Sequence, residues 1–216
     1  MFLTEAEAST IDARVAAVES RTGVQIVTAI VGKSDTYAEL PWKAFALGAA
    51  LAAFGLVLAE AWRPEWVTAD TTLLDTATVL GVAAACALAA VFVPPFARLF
   101  LGAHRRDLEV RQHAQSLFLT RELFATRSRT GVLILVSVFE RRIEILPDTG
   151  LHARVSEADW RTVVGRMTPH LRESRPFHAL EEGLGAAEAM LTAKGVRAAG
   201  AIANELSDRP IEERGE

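Results

Sequence analysis

Two long apolar runs dominate the pattern of hydrophobic and polar positions along the chain. They cover residues 44–62 and 76–97, and Glu60 is the only charged residue within them. A helix needs about 20 mostly apolar residues to cross ~30 Å of hydrocarbon. Both runs have about that length, so the pattern predicts a hairpin of two membrane-spanning helices. Pro94 and Pro95 are expected to end or kink the second span, because proline donates no backbone hydrogen bond.

The alternative is a pair of buried helices in a large soluble core, since both runs are rich in alanine and glycine. Such helices need a shell of protein around them. The remaining segments of the 216-residue chain are short and amphipathic, too few to wrap two apolar helices. Gly48, Gly55 and Gly81 also suit close helix–helix contact in lipid. The membrane hairpin is therefore the favoured interpretation.

Basic residues flank the hairpin unevenly. The connector 63–75 holds one arginine against Glu65, Asp70 and Asp75, whereas the outer flanks hold Lys33, Lys43, Arg98, Arg105, Arg106 and Arg111. Cytoplasmic flanks collect lysine and arginine, so both termini are expected to be cytoplasmic. Trp42, Trp62 and Trp66 lie near the ends of the first span, where indole rings favour the headgroup layer.

Shorter periodic segments surround the hairpin. Thr4 and Glu7 have the spacing of a capping box ahead of a helix with one apolar stripe, and residues 24–31 form a β-branched strand pattern. Residues 131–138 predict a central buried strand and 142–146 a half-exposed one. Further helices are expected at about 105–124, after Ser156, and at about 178–194.

These elements predict an α/β fold, in which helices cover both faces of a small sheet. Neither flank of the hairpin has enough strands to be stable alone, so 24–31 is expected to join the sheet of 131–147. We assign 1–40 and 104–196 to one discontinuous domain, 42–98 to the hairpin and 197–216 to a flexible C-terminal tail.

Composition excludes several classes of function. The net charge is −4 and no basic stripe interleaves with aromatic residues, so nucleic acid is excluded as a partner. The single cysteine, Cys86, forms no internal disulfide and no cysteine-based metal site. The five histidines lack metal-ligand spacing, and neither a nucleophile elbow nor a glycine-rich phosphate loop is present.

Candidate site residues fall at the ends of the predicted strands. Two carboxylates, Asp35 and Asp148, are candidates for a divalent-cation site, or else a helix cap and an Asx turn. Anion or partner binding is the candidate role of Arg127, Arg129, Arg141, Arg142 and His152. The alternative for the arginines is pairing with carboxylates such as Glu140 and Glu144. His152, close to Asp148, is a candidate for titration near neutrality, or else an ordinary surface histidine.

The order of elements and three stretches resemble the TPM domain family. The stretches are LTEAEASTIDARVAAVESRTGVQIVTAIV, HAQSLFLTRELFATRSRTGVLILVSVFERRIEILPDTGLHARVSEADW and PFHALEEGLGAAEAMLTAKG. The resemblance covers roughly residues 3–33 and 105–195 and implies a small α/β/α sandwich with an inserted pair of transmembrane helices. It is nearest to bacterial members whose domain two spans interrupt, which implies a multi-pass protein of the inner (cytoplasmic) membrane.

The resemblance also implies an activity to weigh. Some family members are weak acid phosphatases or divalent-cation binders that use acidic residues at loop ends. The stretch before the central strand, commonly Asp-Asn-Gly, is Arg129-Thr130-Gly131 here, and the later Gly-x-Gly is replaced by Asp148-Thr149-Gly150. An arginine repels the cation that a carboxylate would hold, so both departures argue against that activity.

The sequence therefore predicts a non-enzymatic membrane protein. Its cytoplasmic domain would bind or help to assemble another membrane protein, in the lipid bilayer and without a cofactor. The alternative is a weak, acid-phosphatase-like hydrolase or divalent-cation-binding domain of the same fold. A transport or channel subunit is least favoured, because the spans lack internal ionisable residues and offer no lined pathway unless many copies assemble.

Overall fold

The computed structural model describes residues 2–62, 68–198 and 206–215, and these form two compact units. One unit joins Met1–Asp35 to Arg106–Glu216, and the other is Thr36–Arg105. We call them the α/β unit and the hairpin unit.

The described elements follow one another along the chain as helices α1–α7 and strands β1–β4. They are α1 (Glu5–Thr22), β1 (Gln25–Val31), α2 (Glu39–Trp62), α3 (Ala69–Phe92), α4 (Pro94–Arg98), α5 (Ala103–Thr120), β2 (Gly131–Ser137), β3 (Arg142–Pro147), α6 (Glu157–Arg172), α7 (Pro176–Ala193) and β4 (Ile211–Glu213). Two short 3-10 helices cover Leu123–Ala125 and Thr149–Leu151.

The α/β unit contains a mixed sheet with the strand order β3-β2-β1-β4. β1 pairs in parallel with β2 from Gln25 opposite Gly131 to Val31 opposite Ser137. β4 is also parallel to β1, whereas β3 is antiparallel to β2. The prediction that the early strand completes the later sheet is confirmed.

Helices cover both faces of this sheet. Ile26 and Ile30 of β1 lie in one apolar cluster with alternate residues of β2 and with the buried sides of α1, α6 and α7. Val27, Ala29 and Val31 lie in a second cluster with Val110, Ala114 and Leu117 of α5. Successive strand residues point to opposite faces, so a strand apolar at every position needs cover on both sides. The predicted α/β/α sandwich is confirmed.

The C-terminal segment corrects one prediction. Residues 197–216 were expected to be a loose tail, but Ile211–Glu213 forms β4 on the outer edge of β1. The Gly32 amide donates to the Glu213 carbonyl at 2.8 Å, and His113 Nε2 lies 3.2 Å from Glu213 Oε2. For residues 206–215 the prediction is wrong, because Ile211–Glu213 pairs with β1. The strand is too short and too charged to show the alternating hydrophobic pattern of a strand. Residues 199–205 and 216 lie outside the described chain.

The hairpin unit contains two helices long and apolar enough to cross a membrane, α2 and α3. Only 11% of the apolar window of each helix is buried. Large apolar side chains such as Leu51, Phe54 and Phe92 are 60%, 62% and 76% exposed. α3 ends at Phe92 and α4 starts at Pro94, which confirms the predicted break. Residues 63–67 of the connector, with Trp66, lie outside the described chain.

Close packing between α2 and α3 occurs at Gly48. A Cβ built on Gly48 would lie 2.9 Å from Cys86 Sγ and 3.1 Å from the Ala83 Cα, whereas nothing lies within 4 Å of a Cβ on Gly55. Only a residue without a side chain allows this approach of the two helices.

Replacing Gly48 with leucine is therefore expected to separate the helices. Overpacking of this kind costs about 1–3 kcal/mol. The sole cysteine, Cys86, reports the change, because a thiol-reactive fluorogenic dye in detergent should label it at lower temperature in Gly48→Leu than in the natural protein. Gly55→Leu is the matched control and should leave the labelling temperature unchanged. Equal shifts in both variants would contradict the contact.

Candidate functional site

The two carboxylates considered as candidates for a cation site lie at opposite ends of the strands of the sheet. Asp35 follows β1, whereas Asp148 follows β3 and lies beside the start of β2, where its amide donates to the Gly131 carbonyl at 2.8 Å. β1 has seven residues, and a strand rises about 3.3 Å per residue. The two ends of the strands are therefore about 20 Å apart. A cation site made of both carboxylates is therefore wrong.

Asp148 is held by an arginine of its own chain. Its side chain is 3% exposed, and Arg129 Nε lies 2.8 Å from Oδ2 while Nη2 lies 3.0 Å from Oδ1. Oδ1 also accepts from the Thr149 amide at 2.7 Å, which caps the 3-10 helix Thr149–Leu151. The Nη2 contact is a hydrogen bond between charged groups, which is stronger than one between neutral groups, and the Nε contact adds an ion pair. The charge of Asp148 is thus neutralised within the fold.

The predicted arginine cluster is divided between the two ends of β2. Arg127 and Arg129 precede β2, whereas Arg141 and Arg142 lie at the turn between β2 and β3. Arg142 Nε lies 2.7 Å from Asp107 Oδ1 of α5. A single anion-binding surface made of all these arginines is therefore wrong.

A polar network that the sequence did not reveal closes the sheet at the ends of β1 and β2. Glu140 is only 1% exposed, and its carboxylate accepts from the Ser137 hydroxyl and from the Ser34 amide at 2.9 Å. The Ser34 hydroxyl lies 3.1 Å from the Ser137 hydroxyl. A buried carboxylate is tolerated when it is hydrogen-bonded, as Glu140 is here. Its hydrogen bonds also join the chain after β1 to the β2–β3 turn.

Glu19 is a third buried carboxylate and lies at the opposite end of the strands from Glu140. It accepts from the Ile26 amide at 2.6 Å and from Gln25 Nε2 at 3.3 Å, and Gln25 in turn accepts from the Leu206 amide at 3.2 Å. Burial raises the pKa of Glu19 to about 7 against the lowering effect of these hydrogen bonds, and Asp208 adds to the rise. Glu19 therefore changes charge near neutral pH and ties the start of β1 to the C-terminal segment.

A groove of about 630 Å³ runs along the outer edge of β3. Its floor is β3, its walls are Arg111 of α5 on one side and Trp160 and Val164 of α6 on the other, and His152 lies in its lining. Sequence reasoning singled out His152 but placed it with Asp148 rather than in a groove. No sequence pattern marks this groove, because three separate elements form it.

Glu144 is the unusual group in this groove. It is half-buried, and within the described ranges its carboxylate has neither a hydrogen bond nor an ion pair. Burial raises its pKa; Arg111 partly opposes the shift, whereas Asp107 and Glu157 add to it. A carboxylate left without a partner in a groove is a candidate contact for a bound group.

Metal ligands do not converge in the described part of the chain. No group of three or more histidine, cysteine, aspartate or glutamate side chains there is placed to hold a metal ion. His170 and His178 stack with ring centroids 6.2 Å apart, between α6 and α7.

Part of the chain is similar to a known protein family. Residues 88–190 match the family model described as the TPM domain. The matched range runs from the end of α3 into α7, and the structure adds α1 and β1 from outside it.

One solved structure supports this architecture. The NMR structure of the BA42 protein from the psychrophilic bacterium Bizionia argentinensis is similar, with a TM-score of 0.58 and 15% sequence identity over 98% of this chain and 96% of that chain. At this identity the likeness concerns the fold alone. No curated protein matches the sequence.

The Asp148–Arg129 pair is expected to stabilise the α/β unit. Asp148→Ala removes a cap and a buried partner and should lower the free energy of unfolding by about 2–3 kcal/mol. Arg129→Ala should also destabilise, because it strands a buried carboxylate, and the double variant should lose less than the sum of the two. Chemical denaturation measures all three. Arg154→Ala, at an exposed arginine, is the control; strict additivity would contradict the coupling.

Glu19 should make stability depend on pH. Its carboxyl has a pKa of about 7 in the folded chain against 4.5 as the ordinary value, so between these pH values the folded state binds more protons and stability falls as the pH rises. Glu19→Gln removes this loss. After discounting for partial solvent screening, we expect the variant to gain about 1–2 kcal/mol relative to the natural protein between pH 5 and pH 8.

The measurement for Glu19 is the difference in melting temperature between pH 5 and pH 8, compared between Glu19→Gln and the natural protein. Other titrating groups contribute equally to both and cancel. The same pH dependence in the two proteins would show that Glu19 does not titrate in this range.

Proposed function

We propose that this protein is an integral protein of the bacterial inner membrane and that its TPM domain acts as a non-enzymatic interaction module for another membrane protein. The observation that carries the proposal is the exposed apolar surface of α2 and α3. Monomeric soluble proteins rarely expose continuous apolar patches larger than a few hundred Å². Side chains such as Leu51, Phe54 and Phe92 are mostly exposed in the hairpin unit, where lipid would cover them.

The dimensions of the helices support a membrane location. Each has 24 residues, which at about 1.5 Å per residue spans roughly 36 Å, enough for the ~30 Å hydrocarbon layer. A core helix of a soluble protein would be mostly buried, and these windows are 11% buried. The flanking charges support cytoplasmic termini, because Lys43, Arg98 and Arg105 lie at one end of the spans and Asp70 at the other.

The polar groups of the TPM domain support binding rather than hydrolysis. Asp148 is neutralised by Arg129, and Glu140 is satisfied by Ser137 and Ser34. A hard cation needs six or more oxygen ligands, and carboxylates already held by the fold do not supply them. The phosphatase-like or cation-binding alternative rests on the family resemblance alone.

Membrane topology tests the first half of the proposal. Compartment-sensitive reporters fused to each terminus should both report the cytoplasm, and one inserted in the connector 63–67 should report the opposite compartment. The protein should also stay with membranes after alkaline carbonate extraction. Recovery of the full chain in the soluble fraction, or reporters of opposite sign at the two termini, would contradict it.

Divalent cations test the second half. Millimolar Ca²⁺, Mg²⁺ or Mn²⁺ should leave the melting temperature of the natural protein unchanged, because Arg129 already occupies Asp148. A melting-temperature rise that Asp148→Asn abolishes, or hydrolysis of a phosphate monoester that needs Asp148, would favour the alternative.

A further inference from the structure

We propose that the outer edge of β3 binds an extended segment of a partner polypeptide as an added strand, with a lysine or arginine of that segment against Glu144. The inference rests on the proposed interaction function and names its site.

The register shows which backbone groups of β3 face the groove. Asp148 lies opposite Gly131 and donates to its carbonyl, so by alternation Leu146, Glu144 and Arg142 make the ladder bonds to β2. The intervening residues turn their backbone groups outward. These are the amides and carbonyls of Ile143 and Ile145 and the carbonyl of Pro147, and no strand within the described ranges pairs with them. An unpaired strand edge of this kind is the surface used in β-strand addition.

The walls of the groove suit a strand with two different faces. On one side α6 contributes the apolar side chains of Trp160 and Val164 and the ion pair of Arg161 with Glu157, and on the other side lies Arg111 of α5, close to Glu144.

Glu144 defines the chemistry of the second face. It has no hydrogen bond or ion pair within the described chain, whereas the nearby Asp107 and Glu157 are paired with Arg142 and Arg161. In an added antiparallel strand the residue opposite Glu144 occupies a non-hydrogen-bonded position, where side chains lie closest. A basic residue there compensates the carboxylate. Segments next to cytoplasmic membrane spans are rich in lysine and arginine, so a neighbouring membrane protein offers such a segment.

A second copy of this chain fits the edge poorly. In an antiparallel β3–β3 pair centred on Ile145, Pro147 falls opposite Ile143 and lacks the amide that the pair requires. In a pair centred on Glu144 instead, Ile143 lies opposite Ile145 and the two copies of Glu144 lie directly opposite each other, where like charges repel. A different polypeptide meets neither obstacle.

Synthetic peptides test the proposal on the full chain in detergent. The probe is a capped peptide with the core Thr-Val-Lys-Val-Thr, which places lysine opposite Glu144 and its valines opposite Ile143 and Ile145. Two matched peptides replace the lysine by glutamate or both valines by proline. Binding is measured by fluorescence anisotropy, and site-resolved amide hydrogen exchange follows the Ile143 and Ile145 amides.

We expect the lysine peptide to slow exchange at Ile143 and Ile145 and to bind about three- to tenfold more tightly than the glutamate peptide. The proline peptide should not protect these amides, because it lacks the donors for the outward carbonyls. Glu144→Gln should remove the charge preference and Glu144→Lys should reverse it, whereas Glu181→Lys, an exposed control on α7, should leave it intact.

Three results would overturn the proposal. They are unchanged exchange at Ile143 and Ile145 with millimolar lysine peptide, a charge preference that survives Glu144→Lys, and protection that appears with protein concentration alone, which would indicate a second copy. Failure here is distinct from failure of the proposed function. A membrane-retained chain that binds no peptide loses only the β3 site, and a soluble chain that binds the peptide loses the membrane assignment.

Discussion

The parallel pairing of β1 with β2 is the constraint on which the rest of the α/β unit depends. Every residue of both strands is buried, and Gln25 opposes Gly131 although the whole hairpin unit lies between them in the chain. The entropy cost of closing a loop grows only with the logarithm of its length, so this long interruption adds little to the cost of pairing. β1 in turn carries β4 on its other edge and apolar side chains for both helical layers.

The polar side chains buried at the two ends of this sheet show how the fold uses its carboxylates. Glu19 accepts from the backbone of β1, Asp148 is gripped by Arg129, and Glu140 is satisfied by a serine hydroxyl and an amide. Glu19 joins α1 to β1, Asp148 joins the segment after β3 to the segment before β2, and Glu140 joins the β2–β3 turn to the end of β2 and to the chain after β1. A half-satisfied group at any of these places would destabilise the fold. Glu144 differs, because it faces the groove beside β3 and has no such partner among the described residues. Glu19, Asp148 and Glu140 therefore stabilise the fold, whereas Glu144 lies at an unpaired strand edge.

The hairpin unit follows different physics. Its helices bring small residues together, with Gly48 against Cys86 and Ala83, while larger apolar side chains point away from the contact. In water this arrangement would leave the apolar surface exposed, whereas in lipid, association depends on such close packing rather than on apolar burial. The same chain therefore combines a unit that excludes water from its core with one whose outer surface suits hydrocarbon.

The sequence alone determined the two apolar helices, the break before Pro94, the helix and strand types and the membership of β1 in the sheet, because hydrophobic period and length are local properties that leave few alternatives. It did not determine which loop ends meet. Asp35 and Asp148 were grouped because both follow strands. However, β3 runs antiparallel to β2, so Asp148 lies at the opposite end of the strands from Asp35. Contacts between residues distant in the chain also produce three other features. These are the pairing of Arg129 with Asp148, the polar network around Glu140 and the strand β4. Only the tertiary structure decided these, because strand direction and register, not local pattern, place side chains together.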